Sequence, residues 1–384
     1  MNYLDYAATT PVDPRVSEAM QPYFAETFGN PSSIHRFGQQ AEAALDSARE
    51  TVASVLRCQP DEVVFTSCGT ESDNLALRGA ALAGRQNTGA NWIIASRVEH
   101  HAVSKTAEQL QKYYGFEVEW LEVDQNGLVS ADAVERAICD QTAVVSVMYA
   151  NNEVGTINPI ADISGVCREH GVAFHTDAVQ AAAYLPADAI TLGADLVSLG
   201  GHKFYGPKGV GALYIRRGTD LLPSQTGGGQ ENGRRAGTQN VPYIVGFAEA
   251  LRLANEEREQ RTAHVKPLRD DIIGSVLESS PDVLLTGSPD SRLPNHASFV
   301  FKDVDGNLLL TLLDAAGFAC SSGSACKTGN PEPSEVMLAL GLSREWALGS
   351  LRVTLGTGTT AQEVESFLAV LPGLVGKARG LALR

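Results

Sequence analysis

Ser198-Leu199-Gly200-Gly201-His202-Lys203-Phe204-Tyr205-Gly206-Pro207-Lys208-Gly209 is a glycine-flanked turn between two apolar runs, Leu196 to Leu199 and Val210 to Ile215, that both read as strands. A reactive amine belongs in such a place. Lys203 stands at a rigid strand end with open space around it, which is what a lysine needs to carry a Schiff base with an aldehyde cofactor. Upstream, the apolar run from Val172 to His175 ends at Asp177, and an aspartate there keeps the ring nitrogen of pyridoxal phosphate protonated. Downstream, Cys326 lies in Cys320-Ser321-Ser322-Gly323-Ser324-Ala325-Cys326-Lys327-Thr328-Gly329-Asn330-Pro331, a stretch of small residues expected to be mobile. Lysine-bound cofactor chemistry combined with a movable thiol points to sulfur transfer.

Around this turn, short β-branched runs alternate with longer helical patterns. Val63 to Thr66, Trp92 to Ala95, Val118 to Val123, Ala143 to Tyr149 and Val172 to Thr176 join the two strands above, while Gln39 to Leu56, Ser72 to Ala83, Ser104 to Tyr114 and Ser130 to Ile138 carry helical spacing. Such alternation predicts an α/β fold with crossover connections, a largely parallel sheet and functional loops at the carboxyl ends of the strands. Lys203, Asp177 and Asn152 all follow strands closely. After Gly246 the pattern becomes a long polar helix, roughly Phe247 to Ser279, leading into a smaller α/β unit with strands at Ser298 to Phe301, Gly317 to Ala319 and Leu351 to Leu355. A closing helix over Ala361 to Arg379 is expected to kink or break at Pro372. At 384 residues the chain exceeds the size at which single cores split. We expect a large domain over 16–260 and a smaller C-terminal α/β domain over 261–384 that also takes in residues 1–15.

Lys plus Arg total 30 against 45 Asp plus Glu, a formal charge of −15 that repels phosphate backbones and argues against nucleic-acid binding. The start Met1-Asn2-Tyr3-Leu4-Asp5-Tyr6 is neither basic nor apolar, and no run approaches the ~20 apolar residues of a membrane span, so a cytoplasmic protein is expected. Six cysteines are scattered without a CxxC pair, which disfavours a disulfide framework or a zinc site. Cys58, Cys68, Cys139, Cys167 and Cys320 read as small buried hydrophobes. Cys326 differs, because its neighbours are small and Lys327 favours the thiolate.

The cofactor's phosphate needs donors, and Ser67-Cys68-Gly69-Thr70-Glu71-Ser72 leaves a strand to open a helix whose free N–H groups and dipole suit an anion. The plainer alternative is that Thr70 and Ser72 merely cap the helix. Gly201-x4-Gly206-Pro207-Lys208 is not a P-loop, because Pro207 interrupts the Gly-Lys pair. In Glu99-His100-His101 the two imidazoles diverge in extended structure, which speaks against a metal pair. His100 instead stands where an aromatic can stack on a cofactor ring and move protons.

Tyr3-Leu4-Asp5-Tyr6-Ala7-Ala8-Thr9-Thr10-Pro11, Phe28-Gly29-Asn30-Pro31-Ser32-Ser33, Ala150-Asn151-Asn152-Glu153-Val154-Gly155, Gly201-His202-Lys203 and Ser321-Ser322-Gly323-Ser324-Ala325-Cys326 together resemble the cysteine desulfurases of the NifS/IscS type, class V aminotransferase-fold enzymes, over nearly the whole chain. The resemblance implies the type I fold of PLP-dependent transferases, with a mostly parallel mixed sheet in the large domain. It implies that Lys203 holds pyridoxal phosphate, Asp177 pairs with its ring nitrogen, and Gln180 and Asn152 reach its phenolic oxygen or the substrate. Gly69, Thr70 and His202 would hold the phosphate, with Thr238 reaching that of the neighbouring subunit of a homodimer. Arg352 would clamp the substrate carboxylate with its planar fork. No resident metal is implied, and any iron–sulfur contact would be transient and at Cys326. Gly200 stands where the family carries a serine, which removes one hydroxyl from the phosphate cradle. The chain also ends soon after its last helix, without the longer tail that IscS-like members use in docking a scaffold.

The implied reaction converts L-cysteine to alanine. Lys203 and His100 shuttle protons, and the Cys326 thiolate takes the sulfur as a persulfide for delivery to an acceptor or iron–sulfur scaffold protein, in iron–sulfur cluster assembly or tRNA thiolation. Gly323 and Gly329 flank the thiol so that its loop can swing. The competing readings are a selenocysteine lyase or aminotransferase on the same fold, and a non-catalytic partner in iron–sulfur assembly.

Overall fold

Short apolar runs enclosed on both faces extend into strands, and the segments between them, with apolar residues every three or four positions, coil back over the sheet. The computed structural model describes residues 1–322 and 332–382. In chain order the strands are β1 (Asn2–Tyr3), β2 (Val63–Thr66), β3 (Trp92–Ser96), β4 (Glu117–Leu121), β5 (Thr142–Ser146), β6 (Ala173–Asp177), β7 (Leu196–Gly200), β8 (Gly211–Ile215), β9 (Val283–Leu285), β10 (His296–Phe301), β11 (Phe318–Ala319) and β12 (Ser350–Thr354). Among the described residues, seven form one sheet in the order β2-β8-β7-β6-β5-β3-β4.

Strands β7, β6, β5, β3 and β4 run parallel. Strand β8 is antiparallel to both β7 and β2, so β2 points the same way as β7. The carboxyl ends of β2, β3, β5, β6 and β7 therefore share one edge, and the loops leaving them converge. Between the strands, the Gly69–Thr88 helix presents Ala76, Ala80 and Ala81, with Leu77 beside them, to the sheet, and the three alanines let helix and sheet approach closely. Phe174, 1 % exposed in β6, shows how tightly the other face is packed; removing such a ring costs about 3–5 kcal/mol.

A second sheet, β12-β10-β9, is antiparallel, and β1 pairs in parallel with β11. Asp5 forms a bridge with Thr354 of β12, and Thr10 N–H bonds His202 O. The first ten residues thus form a strap from the small sheet to the turn that carries Lys203.

Three elements depart from expectation. The long polar helix is two helices, Val241–Glu256 and Arg258–Ser279, parted at Glu257 (φ −96, ψ 3), whose carboxylate binds Arg15 and Arg261. The last helix, Ala361–Ala382, runs through Pro372, because Phe367, Leu371, Val375 and Ala378 bury both of its halves in one core. The three-residue strand β9 pairs with β10 although its apolar run is too short to stand out. No helix among the described residues is long and apolar enough to cross a membrane.

Candidate active site

The shared sheet edge encloses a cavity of about 330 Å³ lined by Lys203, Asp177, His100, Gly69, Thr70, Asn152, Gln180, His202 and Arg352. Its residues arrive from strand ends: Lys203 in the short turn after β7, Asp177 as the last residue of β6, Asn152 beyond β5, His100 beyond β3, and Gly69 beyond β2.

Lys203 Nζ donates to the carbonyls of Ala7 and Ala8, the latter at 2.9 Å. Burial, helped by the positive charge of Arg352, lowers its pKa to about 8, against the pull of Asp177 and Asp5. A fraction of the amine is therefore neutral and nucleophilic near physiological pH. The Asp177 carboxyl accepts Val179 N–H at 2.8 Å. Burial raises its pKa, while the Val179 amide, His100 and Lys203 counteract that rise. His100 caps the His101–Tyr114 helix by accepting Ala102 N–H at Nδ1, 3.1 Å away. Burial lowers its pKa, and an Nδ1 engaged as acceptor leaves the proton of the neutral ring on Nε2.

At the far side the Gly69–Thr88 helix begins with Cys68 as N-cap and no side-chain capping bond, which leaves a helix start suited to an anion. A Cβ on Gly69 would lie 2.6 Å from Val179 Cγ2, and one on Gly200 would lie 3.4 Å from the Gly69 nitrogen. At Gly69 a side chain would collide with Val179, whereas at Gly200 a Cβ would be only slightly tight, 3.3 Å from Val179 Cγ1. His202 Nδ1 meets Thr9 Oγ1 at 3.1 Å, and burial, with Lys203 and Lys208, lowers its pKa to about 4, so the ring is neutral. Arg352, on β12, is held by Asn152 O at Nη1 and Asp5 Oδ1 at Nη2, both 2.9 Å away; its Nε is buried without a partner, as is Asn152 Oδ1. Gln180 Nε2 donates to Ala7 O at 2.9 Å. An amine, a buried carboxylate, a neutral imidazole, an open helix start and unpaired buried polar atoms form a donor set that fits pyridoxal phosphate.

The model of the class-V aminotransferase family matches residues 2–367. The chain belongs to the class-V aminotransferase family. A Dictyoglomus turgidum protein named cysteine desulfurase IscS is 46% identical over 380 residues, covering 99% of this chain and 96% of that one. An IscS-like cysteine desulfurase of Mycobacterium tuberculosis is 45% identical over 387 residues, covering 100% and 98%. Among solved structures, a NifS-like protein superposes with a TM-score of 0.91 at 37% identity over 98% of this chain and 99% of that chain. The structure titled SspA in complex with cysteine superposes with 0.80 at 35% identity over 94% and 100%. Class-V aminotransferases are pyridoxal phosphate enzymes, and the cavity around Lys203 is the part of this one that fits the cofactor.

Two of the expected site residues of this class-V aminotransferase are not placed with the others. Thr238 lines a separate cavity of about 170 Å³ with Arg235, Thr66 and Ser67. Cys326, with its flanking Gly323 and Gly329, lies outside the described residues. The reading of five cysteines as buried hydrophobes holds for Cys167; Cys139 is exposed, and Cys68 lines the Lys203 cavity, where the open helix start leaves it room. Sequence reasoning missed Asp73, a buried carboxyl lining the cavity. Its signal was a charged residue on the apolar face of the Gly69–Thr88 helix. It also missed Asp5, which grips Arg352 across 347 residues of chain and had no local signal.

Proposed function

We propose that this protein is a cysteine desulfurase, converting L-cysteine to alanine with its sulfur left as a persulfide on Cys326. The observation that carries the reading is the meeting of Lys203, Asp177, His100 and Arg352 in one cavity. Pyridoxal phosphate, when bound, delocalises the electron pair released as the substrate's α-proton leaves. Lys203 supplies the amine that anchors it, Asp177 holds the proton on its ring nitrogen, and Gly69, Thr70 and His202 take its phosphate. Asn152 and Gln180 orient cofactor and substrate. Arg352 binds the L-cysteine carboxylate through its planar fork, fixing the Cα–H bond relative to Lys203.

Lys203, with a pKa close to working pH, accepts the α-proton, and His100 moves protons at Nε2. The Cys326 thiolate attacks the substrate sulfur, the Cβ–S bond breaks, and the carbon skeleton takes protons to leave as alanine. The persulfide sulfur then passes to an acceptor or iron–sulfur scaffold protein, in iron–sulfur cluster assembly or tRNA thiolation. The enzyme works in the cytoplasm as a homodimer, Thr238 serving the neighbouring subunit. It divides into a large domain, 16–260, and a small one, 261–384 with 1–15.

Intact-protein mass after brief exposure to L-cysteine tests this. One added sulfur is expected, lost with dithiothreitol and lost in Cys326→Ser. Alanine release at full rate by Cys326→Ala would instead mean a lyase or aminotransferase that needs no thiol, and a purified protein without the cofactor's visible absorbance would mean a non-catalytic partner.

A further inference from the structure

Behind Asp177 the cavity wall contains a carboxyl that the reaction above does not use. Asp73, in the second turn of the Gly69–Thr88 helix, is 1 % exposed and lines the cavity, yet its Oδ1 has no hydrogen-bond partner. That oxygen lies 3.6 Å from His175 Nε2. The approach is not an ion pair: His175 is fully enclosed, burial lowers its pKa to about 3, and its nitrogens meet the hydroxyls of Ser146 and Ser198, both at 2.9 Å.

The groups facing Asp73 are Asp177 on β6, Ser198 on β7, Glu99 beyond β3 and Cys68 at the head of its own helix, none of them a cation. Asp177, by contrast, faces both His100 and Lys203 and accepts the Val179 amide. Two carboxyls enclosed together cannot both ionise cheaply, and the charge settles on the one beside the Lys203 amine and the Val179 amide donor. Burial raises Glu99 to about 8, although Ser96 Oγ and the Met148 N–H bond its carboxyl and pull the other way, so near neutral pH it does not compete for that charge.

We propose that Asp73 is a positioning residue for Asp177: an uncharged carboxylic acid set between Ser198 and the neutral His175 ring, which confines the negative charge at the rear of the cavity to Asp177. This role rests on the reading that Asp177 faces the cofactor's ring nitrogen. Asn at position 73 is then a faithful replacement, because it is neutral and nearly the same shape, whereas it would be a severe change if Asp73 were ionised.

The test compares the parent with Asp73→Asn, cofactor-free and loaded with pyridoxal phosphate. In the cofactor-free protein at neutral pH, the infrared difference spectrum is expected to show the variant losing a protonated-carboxyl C=O stretch. Loss of carboxylate stretches instead overturns the proposal. In the loaded protein, the pH midpoint of the visible absorbance is expected to stay at the parent value; a fall of about one unit or more, as expected when a buried negative charge is removed, also overturns it. Should Asp73→Asn not fold, carbon-13 NMR of the loaded parent labelled at aspartate carboxyls decides: one buried aspartate that remains protonated through neutral pH supports the role, and none overturns it. Asp177→Asn separates the two layers of argument. An unchanged absorbance midpoint in that variant refutes the placement of Asp177 against the ring, whatever the infrared result for Asp73.

Discussion

Replacing Arg352 with lysine keeps the positive charge but removes the fork. The guanidinium spans Asn152 O and Asp5 Oδ1, each at 2.9 Å, with side-chain exposures of 9% for Arg352 and 15% for Asp5. A single ammonium on a flexible stem cannot span both partners in that geometry and still offer a two-pronged face to a carboxylate. A hydrogen bond to a charged group contributes about 1.5–3 kcal/mol, and about 1.4 kcal/mol is a tenfold change. Losing one such bond to the substrate is therefore expected to lower kcat/KM for L-cysteine by roughly 10- to 100-fold. Because the charge remains, Asp5 is not left stranded in the interior, and the fold is expected to hold. The assay is alanine release against L-cysteine concentration at saturating cofactor, with the visible absorbance followed in parallel. A kcat/KM within about twofold of the parent would refute the argument, since a lost two-pronged contact cannot be that small. Loss of absorbance along with activity would do the same, by showing that Arg352 serves the cofactor instead.

Three further outcomes follow from the geometry. In the cofactor-free protein Lys203 titrates near 8 rather than the ordinary 10.5, so between those values the unfolded chain binds the extra proton and stability rises with pH. The denaturation midpoint of the parent relative to Lys203→Met is accordingly expected to increase from pH 8 to 10.5; a flat difference would show that the amine is not held in that state. His100→Gln is expected to retain the cofactor's absorbance while kcat falls roughly 10²–10⁴-fold, the usual range for a lost proton-transfer group, and stopped-assay turnover checks this. Glu231, 1% exposed at its side chain, receives Arg49 at both oxygens and also Phe65 N–H. Glu231→Ala leaves a guanidinium without its counter-charge and is expected to cost about 3–5 kcal/mol in denaturant unfolding.

Strand β2 coincides with its expected range because four consecutive buried positions, Val63 to Thr66, end abruptly at Ser67, a pattern set by local sequence. The carboxyl-edge placement of Lys203, Asp177, Asn152 and His100 was legible for the same reason: each follows an enclosed strand. What the sequence hid depends on contacts made across the chain. The helix break at Glu257 coincides with an ion pair to Arg15, the grip on Arg352 comes from Asp5, and the environment of Asp73 is assembled from β6, β7 and the loop after β3. None of these leaves a periodic trace. Arg352 itself was found through resemblance, since an arginine inside an apolar strand carries no statement of what it binds.

The strap formed by the first ten residues has a consequence for biogenesis. Its partners are β11, Thr354 and the turn at His202 and Lys203, so this segment is made long before β12 and finds its last neighbours only when β12 has been made. Contacts between such distant stretches close late. Cofactor capture should therefore be a finishing step of synthesis, and a nascent chain arrested before Phe318 is expected to hold no covalently attached cofactor.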